Sequence, residues 1–198
     1  MTIKDYSELV LGINRIVFEA KHNYSAFCGI YYNDNFNVSL PIPTALLMLM
    51  KNHYHVYVME ISKLLSSGDN HFNINKALNG IRQNEKYREE AQQVKNEINM
   101  LKPAIDSIRA TRNNIFAHLD QNYYNFKNSL TETQNSELNN VIFKAVDFLN
   151  STLQLPEYVD YRKMQSPDSI AFYNLIFTEL INTGKADNLP KQDAKVLY

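Results

Sequence analysis

The chain has 198 residues, of which 44% are hydrophobic and 21% are charged, and it contains only five glycines and six prolines. This length and composition exclude a disordered or collagen-like chain and predict a single helix-rich domain. The formal net charge of -1 argues against a general nucleic-acid coat protein, whose affinity depends on a strongly basic surface, so any nucleic acid must be held by a local patch.

A single cysteine, Cys28, excludes an intrachain disulfide framework and fits a reducing compartment. We interpret Cys28 as a small buried hydrophobic residue. Residues 1–6 lack the basic and then apolar order of a secretory signal, and the most apolar run, residues 45–50, is much shorter than a membrane span. We therefore expect a cytoplasmic protein without a membrane partner.

Helical spacing of apolar residues predicts helices over most of the chain. They are expected at residues 6–27, 44–65, 73–83, 86–99 and 102–119, then after a capping box at Thr131 and Gln134, and finally from Ser166 to near Gly184. A loop is expected from Ile30 to Pro43, and the polar helix 86–99 should expose a broad face to water. The predicted fold is an all-α bundle of long antiparallel helices with an extra C-terminal helix, in which residues 1–182 form one domain and 183–198 a flexible tail.

The fifth predicted helix has an arginine within its apolar seam. Its apolar positions follow a spacing of three, four, three and four, through Ile105, Ile108, Arg112, Ile115 and Leu119. A guanidinium does not lose its proton, so Arg112 must be paired with an acid, reach water or bind an anion. No residue one turn away on the same helix is acidic. The counter-charge must therefore come from elsewhere.

Most enzyme motifs are missing from the chain. It contains no glycine-rich phosphate loop, nucleophilic serine elbow or paired-cysteine metal motif. His53 and His55 are two residues apart and point to nearly opposite sides of a helix, so we do not expect them to share a metal ion. The sequence therefore predicts neither a metal site nor a cofactor.

Arg112, Asn113 and His118 together have the chemistry of a phosphoryl-transfer site. A histidine with an ordinary pKa of about 6.5 can take a proton from a ribose 2′-hydroxyl or give one to a leaving 5′-oxygen. An arginine stabilises the charge that develops on the phosphate, and an asparagine amide orients either group. RNA is the expected substrate, rather than specific DNA, because DNA lacks the 2′-hydroxyl nucleophile.

Arg112 and Asn113, followed by four residues and His118, resemble the Arg-polar-x4-His motif of the HEPN superfamily. The longer string from Arg112 to Asp120, with residues 58–65 on a preceding helix, is most similar to the abortive-infection U-type branch. The resemblance extends over residues 1–155. It implies an all-helical, metal-independent endoribonuclease of a bacterial toxin–antitoxin or abortive-infection system directed against phage, with Arg112, Asn113 and His118 as catalytic residues.

Helix geometry also predicts a homodimer. Arg112 and His118 are about 120° apart around an ideal helix and about 9 Å apart along it, so one chain does not easily bring them together. A two-fold dimer packed along the motif-bearing helix would supply both a base and an acid to one cleft, and HEPN proteins form such dimers. Thr111 and Asn114 lie on the His118 side of the helix, and Asp120 and Arg109 are further supporting candidates.

One position departs from a pattern found within the superfamily. HEPN toxins that are controlled by a nucleotidyltransferase antitoxin often carry a tyrosine two residues after the histidine, and here this residue is Asp120. The departure argues against control by that route, while a cognate antitoxin stays a candidate partner.

Two other interpretations of the motif are open. The first is a non-catalytic module that binds RNA, a nucleotide or a partner protein in the same cleft. The second is a structural role, in which Arg112 is buried against a carboxylate such as Glu60.

Overall fold

The computed structural model describes residues 2–31, 44–66, 72–117 and 130–153. These residues form six α-helices: α1 (Ile3–Tyr31), α2 (Thr44–Leu64), α3 (Ile74–Ile81), α4 (Arg88–Met100), α5 (Lys102–Ala117) and α6 (Glu132–Leu153). A 3-10 turn at Glu85–Tyr87 leads into α4. No strand occurs within the described ranges, and the predicted all-α class is confirmed.

The first helix is longer at both ends than the apolar pattern predicts. Thr2 and Asp5 form a reciprocal cap, in which the Thr2 amide donates to Asp5 Oδ2 at 3.0 Å and the Asp5 amide donates to Thr2 Oγ1 at 3.1 Å. At the other end Ile30 is fully buried and continues the face that contains Ala26. The prediction of a loop from Ile30 is therefore wrong for its first two residues, because burial of Ile30 stabilises another helical turn. Residues 32–43 lie outside the described part.

All six helices contribute to one hydrophobic core. Each supplies a side chain that is no more than 2% exposed, and these are Ile13, Tyr57, Leu78, Val94, Ile108 and Leu149. α1 packs along α2, while α5 contacts α2 more than it contacts any other helix. Burial of one such side chain contributes about 1.5–3 kcal/mol. The core therefore holds α5 firmly against α2.

α4 is the most polar helix and behaves as predicted. Its buried residues are only Ala91, Val94 and Ile98, which form a narrow stripe at helical spacing. Most of its other residues are exposed, and the rest are half-buried against neighbouring helices. Glu97 accepts a hydrogen bond from Lys144 of α6 at 2.5 Å, which adds a surface contact between these helices.

A single residue, Leu101, separates α4 from α5. Pro103 prevents one continuous helix, because proline has no amide hydrogen and its ring collides with the carbonyl of the residue four positions earlier. The Leu101 amide donates to Ile98 O at 3.1 Å and ends α4, and the Ile105 amide donates to Leu101 O at 2.9 Å and begins α5. The predicted break at Pro103 is confirmed.

The start of α6 confirms the predicted capping box. The Thr131 amide donates to Gln134 Oε1 at 3.0 Å, and the Gln134 amide donates to Thr131 Oγ1 at 3.2 Å. The extra helix predicted near Ser166–Gly184, the domain limit at residue 182 and the tail 183–198 lie outside the described residues. Among the described helices, none combines the length and the apolarity that a bilayer crossing requires.

Candidate functional site

The buried face of α5 does not follow the seam predicted from the sequence. Ala104, Ile105, Ile108 and Thr111 are buried, with Thr111 only 5% exposed, whereas Arg112 is half-buried. Thr111 therefore takes the position after Ile108 that the apolar spacing assigns to Arg112. The predicted core position of Arg112 is corrected to the edge of the core face, where the residue is half-buried.

The guanidinium of Arg112 is held by the side chain of Asn113. Asn113 Oδ1 accepts hydrogen bonds from Arg112 Nε at 3.3 Å and from Nη2 at 3.1 Å. Within the described ranges, no carboxylate forms an ion pair with Arg112. An asparagine amide carries no charge, so Asn113 orients the cation without neutralising it.

Glu60 does not act as the counter-charge of Arg112. Its Oε1 accepts a hydrogen bond from Lys63 Nζ at 2.5 Å, one turn further along α2. The structural alternative, in which Arg112 is buried against Glu60, is therefore not observed among the described residues.

Arg109 connects α5 to the end of α2. Its Nη2 donates to Leu65 O at 2.7 Å, directly after the last residue of α2, and its Nη1 lies 3.4 Å from Asp106 Oδ1. The last carbonyls of a helix have no partner within that helix, so a guanidinium is a suitable donor for one of them. Arg109 thus links α5 to α2 one turn before Arg112.

The other predicted site residues are only partly described. Thr111 is buried and has a polar or electrostatic partner, as its hydroxyl requires. Asn114 belongs to α5, but its side chain is not described, and His118 and Asp120 lie outside the described residues. The structure therefore brings Arg112 and Asn113 together, while the roles of all seven predicted residues, and the approach of His118 to Arg112, stay predictions.

The two histidines of α2 have lowered pKa values. Burial lowers the pKa of His53, with a smaller contribution from His22, and His53 Nδ1 lies 2.9 Å from Asn23 Oδ1. Burial, with a smaller contribution from Lys51, likewise lowers the pKa of His55. Among the described residues, no group of three or more histidine, cysteine, aspartate or glutamate side chains is placed to hold a metal ion.

The burial of Lys51 was not predicted from the sequence. This lysine is only 4% exposed on α2, and burial lowers the pKa of its ammonium group. Its position four residues before His55 and seven before Val58 places it on a mostly buried helix face, which is the signal that could have revealed it.

An all-α bundle that presents an arginine and an asparagine together on one helix fits a domain of the HEPN class. A family model described as AbiU2, of HEPN type, matches residues 4–155, which is nearly the whole span from the start of α1 to the end of α6. The chain therefore belongs to the AbiU2 family of HEPN domains, a family related to abortive infection. The membership expected from the motif is confirmed. Comparison with curated proteins and with solved structures finds no match.

Proposed function

We propose that this HEPN domain is a metal-independent endoribonuclease of a bacterial abortive-infection or toxin–antitoxin system. The observation that carries the proposal is the state of Arg112. The residue is half-buried, its guanidinium is oriented by Asn113, and no carboxylate among the described residues is paired with it. A guanidinium that an amide orients, and that no described carboxylate neutralises, suits the phosphate that is cleaved in RNA.

The proposed reaction is a transesterification within the RNA strand. The ribose 2′-oxygen attacks the adjacent phosphorus while His118 takes its proton, and the bond from phosphorus to the 5′-oxygen breaks. A second imidazole donates a proton to this leaving oxygen. The products are a 2′,3′-cyclic phosphate and a 5′-hydroxyl, and Arg112 stabilises the negative charge that grows on the phosphate oxygens.

A homodimer through α5 supplies the second imidazole in this proposal. His118 of the partner subunit acts as the acid while the first His118 acts as the base. The position of Arg112 and Asn113 supports such packing, because they lie at the edge of the core face and not within it. A second copy of α5 can therefore approach them without opening the core.

The test is cleavage of total RNA in excess chelator by the unaltered protein, Arg112→Ala, His118→Ala and the control Arg15→Ala. Arg15 is exposed on α1, and its replacement removes one positive charge, as the replacement of Arg112 does. We expect cyclic-phosphate ends from the unaltered protein and from the control. Loss of either motif residue should slow cleavage at least about 100-fold, because each supplies acid–base or electrostatic catalysis.

Three outcomes would count against the enzyme. Cleavage that is unaffected by His118→Ala excludes the proposed proton transfer, and cleavage abolished by the chelator excludes a metal-independent reaction. Binding of RNA without cleavage of any RNA tested would favour the non-catalytic module instead.

A further inference from the structure

A groove lined by polar and charged residues lies where the C-terminal end of α3 meets α4. It has a volume of about 550 Å³ and is lined by Arg82, Arg88, Glu89, Gln92, Gln93 and Asn96. The five lining residues from α4 are spaced at i, i+1, i+4, i+5 and i+8, so they share one face of the helix. This face points away from the core, which α4 contacts through Ala91, Val94 and Ile98.

Arg82 is held in place by a ladder of side-chain amides. Arg82 Nη1 donates to Gln92 Oε1 at 2.7 Å, and Gln92 Nε2 donates to Asn96 Oδ1 at 2.9 Å. Arg82 is half-buried, and within the described residues it forms no ion pair with a carboxylate. The ladder uses one nitrogen of its guanidinium and fixes the orientation of the others. Arg82 therefore presents an oriented cation to the groove.

The other wall of the groove provides both a second cation and hydrogen-bond acceptors. Arg88 lies 3.7 Å from Glu85, and since these side chains are 56% and 90% exposed, this ion pair contributes little. Glu89 and Gln93 are exposed beside it. The lining thus combines two guanidinium groups with three amides and one carboxylate. Guanidinium groups bind phosphate, whereas amides and carboxylates bind the edges of nucleobases.

We propose that this groove binds one nucleotide of a single-stranded RNA, with the phosphate on Arg82 and Arg88 and the base edge on Gln93, Asn96 and Glu89. The volume lies within the range of small-molecule sites, about 300–1,000 Å³. The choice of an RNA strand over a free nucleotide rests on the proposed function. The groove is formed by Arg82, directly after α3, and by α4, whereas Arg112 is on α5. The groove therefore holds the strand at a second point outside the cleavage site.

The test measures binding of a fluorescein-labelled single-stranded RNA by anisotropy, with His118→Ala as the parent chain so that the RNA stays intact. Arg82→Gln should weaken binding about tenfold, because it removes a charge-assisted contact. It should also lower the salt dependence of log K by about 0.7, the value for one phosphate contact on a single strand. Gln93→Glu should weaken binding as well, since it adds a negative charge to the groove without altering the ladder.

The matched control is Arg15→Gln, which makes the same charge change on α1 and should alter binding less than twofold. The proposal is overturned if Arg82→Gln and Gln93→Glu bind like Arg15→Gln while their circular dichroism is unchanged. Displacement of the strand by a 5′-mononucleotide at equal concentration also overturns it, since the ligand is then a free nucleotide. Failure to bind any RNA overturns it regardless of cleavage.

The same measurements separate this proposal from the proposed function. If the unaltered chain cleaves RNA but binding does not depend on Arg82, only the groove proposal fails. If binding depends on Arg82 but the unaltered chain cleaves no RNA, the groove proposal stands and the endoribonuclease fails.

Discussion

Single residues join distant helices of this domain through buried amides. Asn14 of α1 and Asn150 of α6 exchange two hydrogen bonds, from Asn14 Nδ2 to Asn150 Oδ1 at 2.7 Å and from Asn150 Nδ2 to Asn14 Oδ1 at 2.9 Å. Both residues are less than 10% exposed, at 7% and 6%. The pair satisfies polar groups that would otherwise be costly in the core, and it fixes α6 on α1.

Replacing one member of this pair should lower the free energy of unfolding by more than half of the loss caused by replacing both. Asn14→Leu leaves the amide of Asn150 without its partner, and we expect the free energy of unfolding to fall by about 1–3 kcal/mol. The double variant Asn14→Leu with Asn150→Leu leaves neither amide unpaired, so its loss should be smaller than the sum of the two single losses. Urea denaturation measures all three values, and simple additivity would contradict the expectation.

Contacts between residues that are close in the sequence were the easiest to predict. The link between Arg112 and Asn113 joins adjacent residues, and the choice of this arginine followed from its charge and its position among apolar neighbours. The link between Asn14 and Asn150 spans 136 positions, so no local pattern reveals it. The burial of Thr111 in place of Arg112 was also missed, because apolar spacing does not count a threonine whose hydroxyl finds a partner.

At the scale of helices, the contact between α2 and α5 positions the candidate site. α5 packs on α2, and Arg109 ties it to the carbonyl of Leu65 at 2.7 Å. This contact lies one turn before Arg112. The orientation of Arg112 therefore depends on how α5 sits against α2 as well as on Asn113.

Removal of this contact should affect both stability and catalysis. Arg109→Gln shortens the side chain and frees the Leu65 carbonyl, so we expect a loss of about 1 kcal/mol in the free energy of unfolding, reduced by the partial exposure of Arg109. If the RNA cleavage is confirmed, kcat should fall while the pH profile set by His118 is unchanged, since a positioning residue does not titrate in the reaction.

Arg15→Gln is the matched control for this helix contact. We expect it to change the stability by less than about 0.5 kcal/mol. An equal loss of stability in Arg109→Gln and Arg15→Gln would show that the removed charge, and not the contact with α2, causes the destabilisation.

Helix boundaries that neighbouring residues determine were easier to predict than a boundary that tertiary packing determines. The capping box of Thr131 and Gln134 and the break at Pro103 depend on a few neighbouring residues, and both are confirmed. The end of α1 depends on the burial of Ile30, which only the tertiary structure decides. A run of aromatic and polar residues after Ile30 predicts a loop too early for this reason.

At the scale of the whole molecule, the described helices and the family match end together. The match covers residues 4–155, and α6 ends at Leu153. The fold class and the family could both be predicted from the sequence, because helical periodicity and one motif are local signals. The assembly of the site across two subunits depends on a surface that one chain does not reveal, so it stays a prediction.

We expect the protein in solution to be a dimer. One chain has a mass of 23.0 kDa, so light scattering coupled to size exclusion should give twice this value for the full chain. A strict monomer at the concentrations used for RNA cleavage would contradict the proposed site, since the second imidazole would be missing. If Arg112→Ala loses cleavage but still has the mass of a dimer, Arg112 acts in the reaction and not in dimer assembly.

The one-residue connection at Leu101 restricts insertions and deletions between α4 and α5. One residue of helix corresponds to a rotation of about 100°. An insertion or deletion between Ile98 and Ile105 would therefore turn α5 so that Ile108 leaves the core and Arg112 moves to another side of the bundle. Point substitutions on the polar face of α4 carry no such penalty. Over evolutionary time, the number of residues between the core of α4 and Arg112 should be conserved more strictly than their identities.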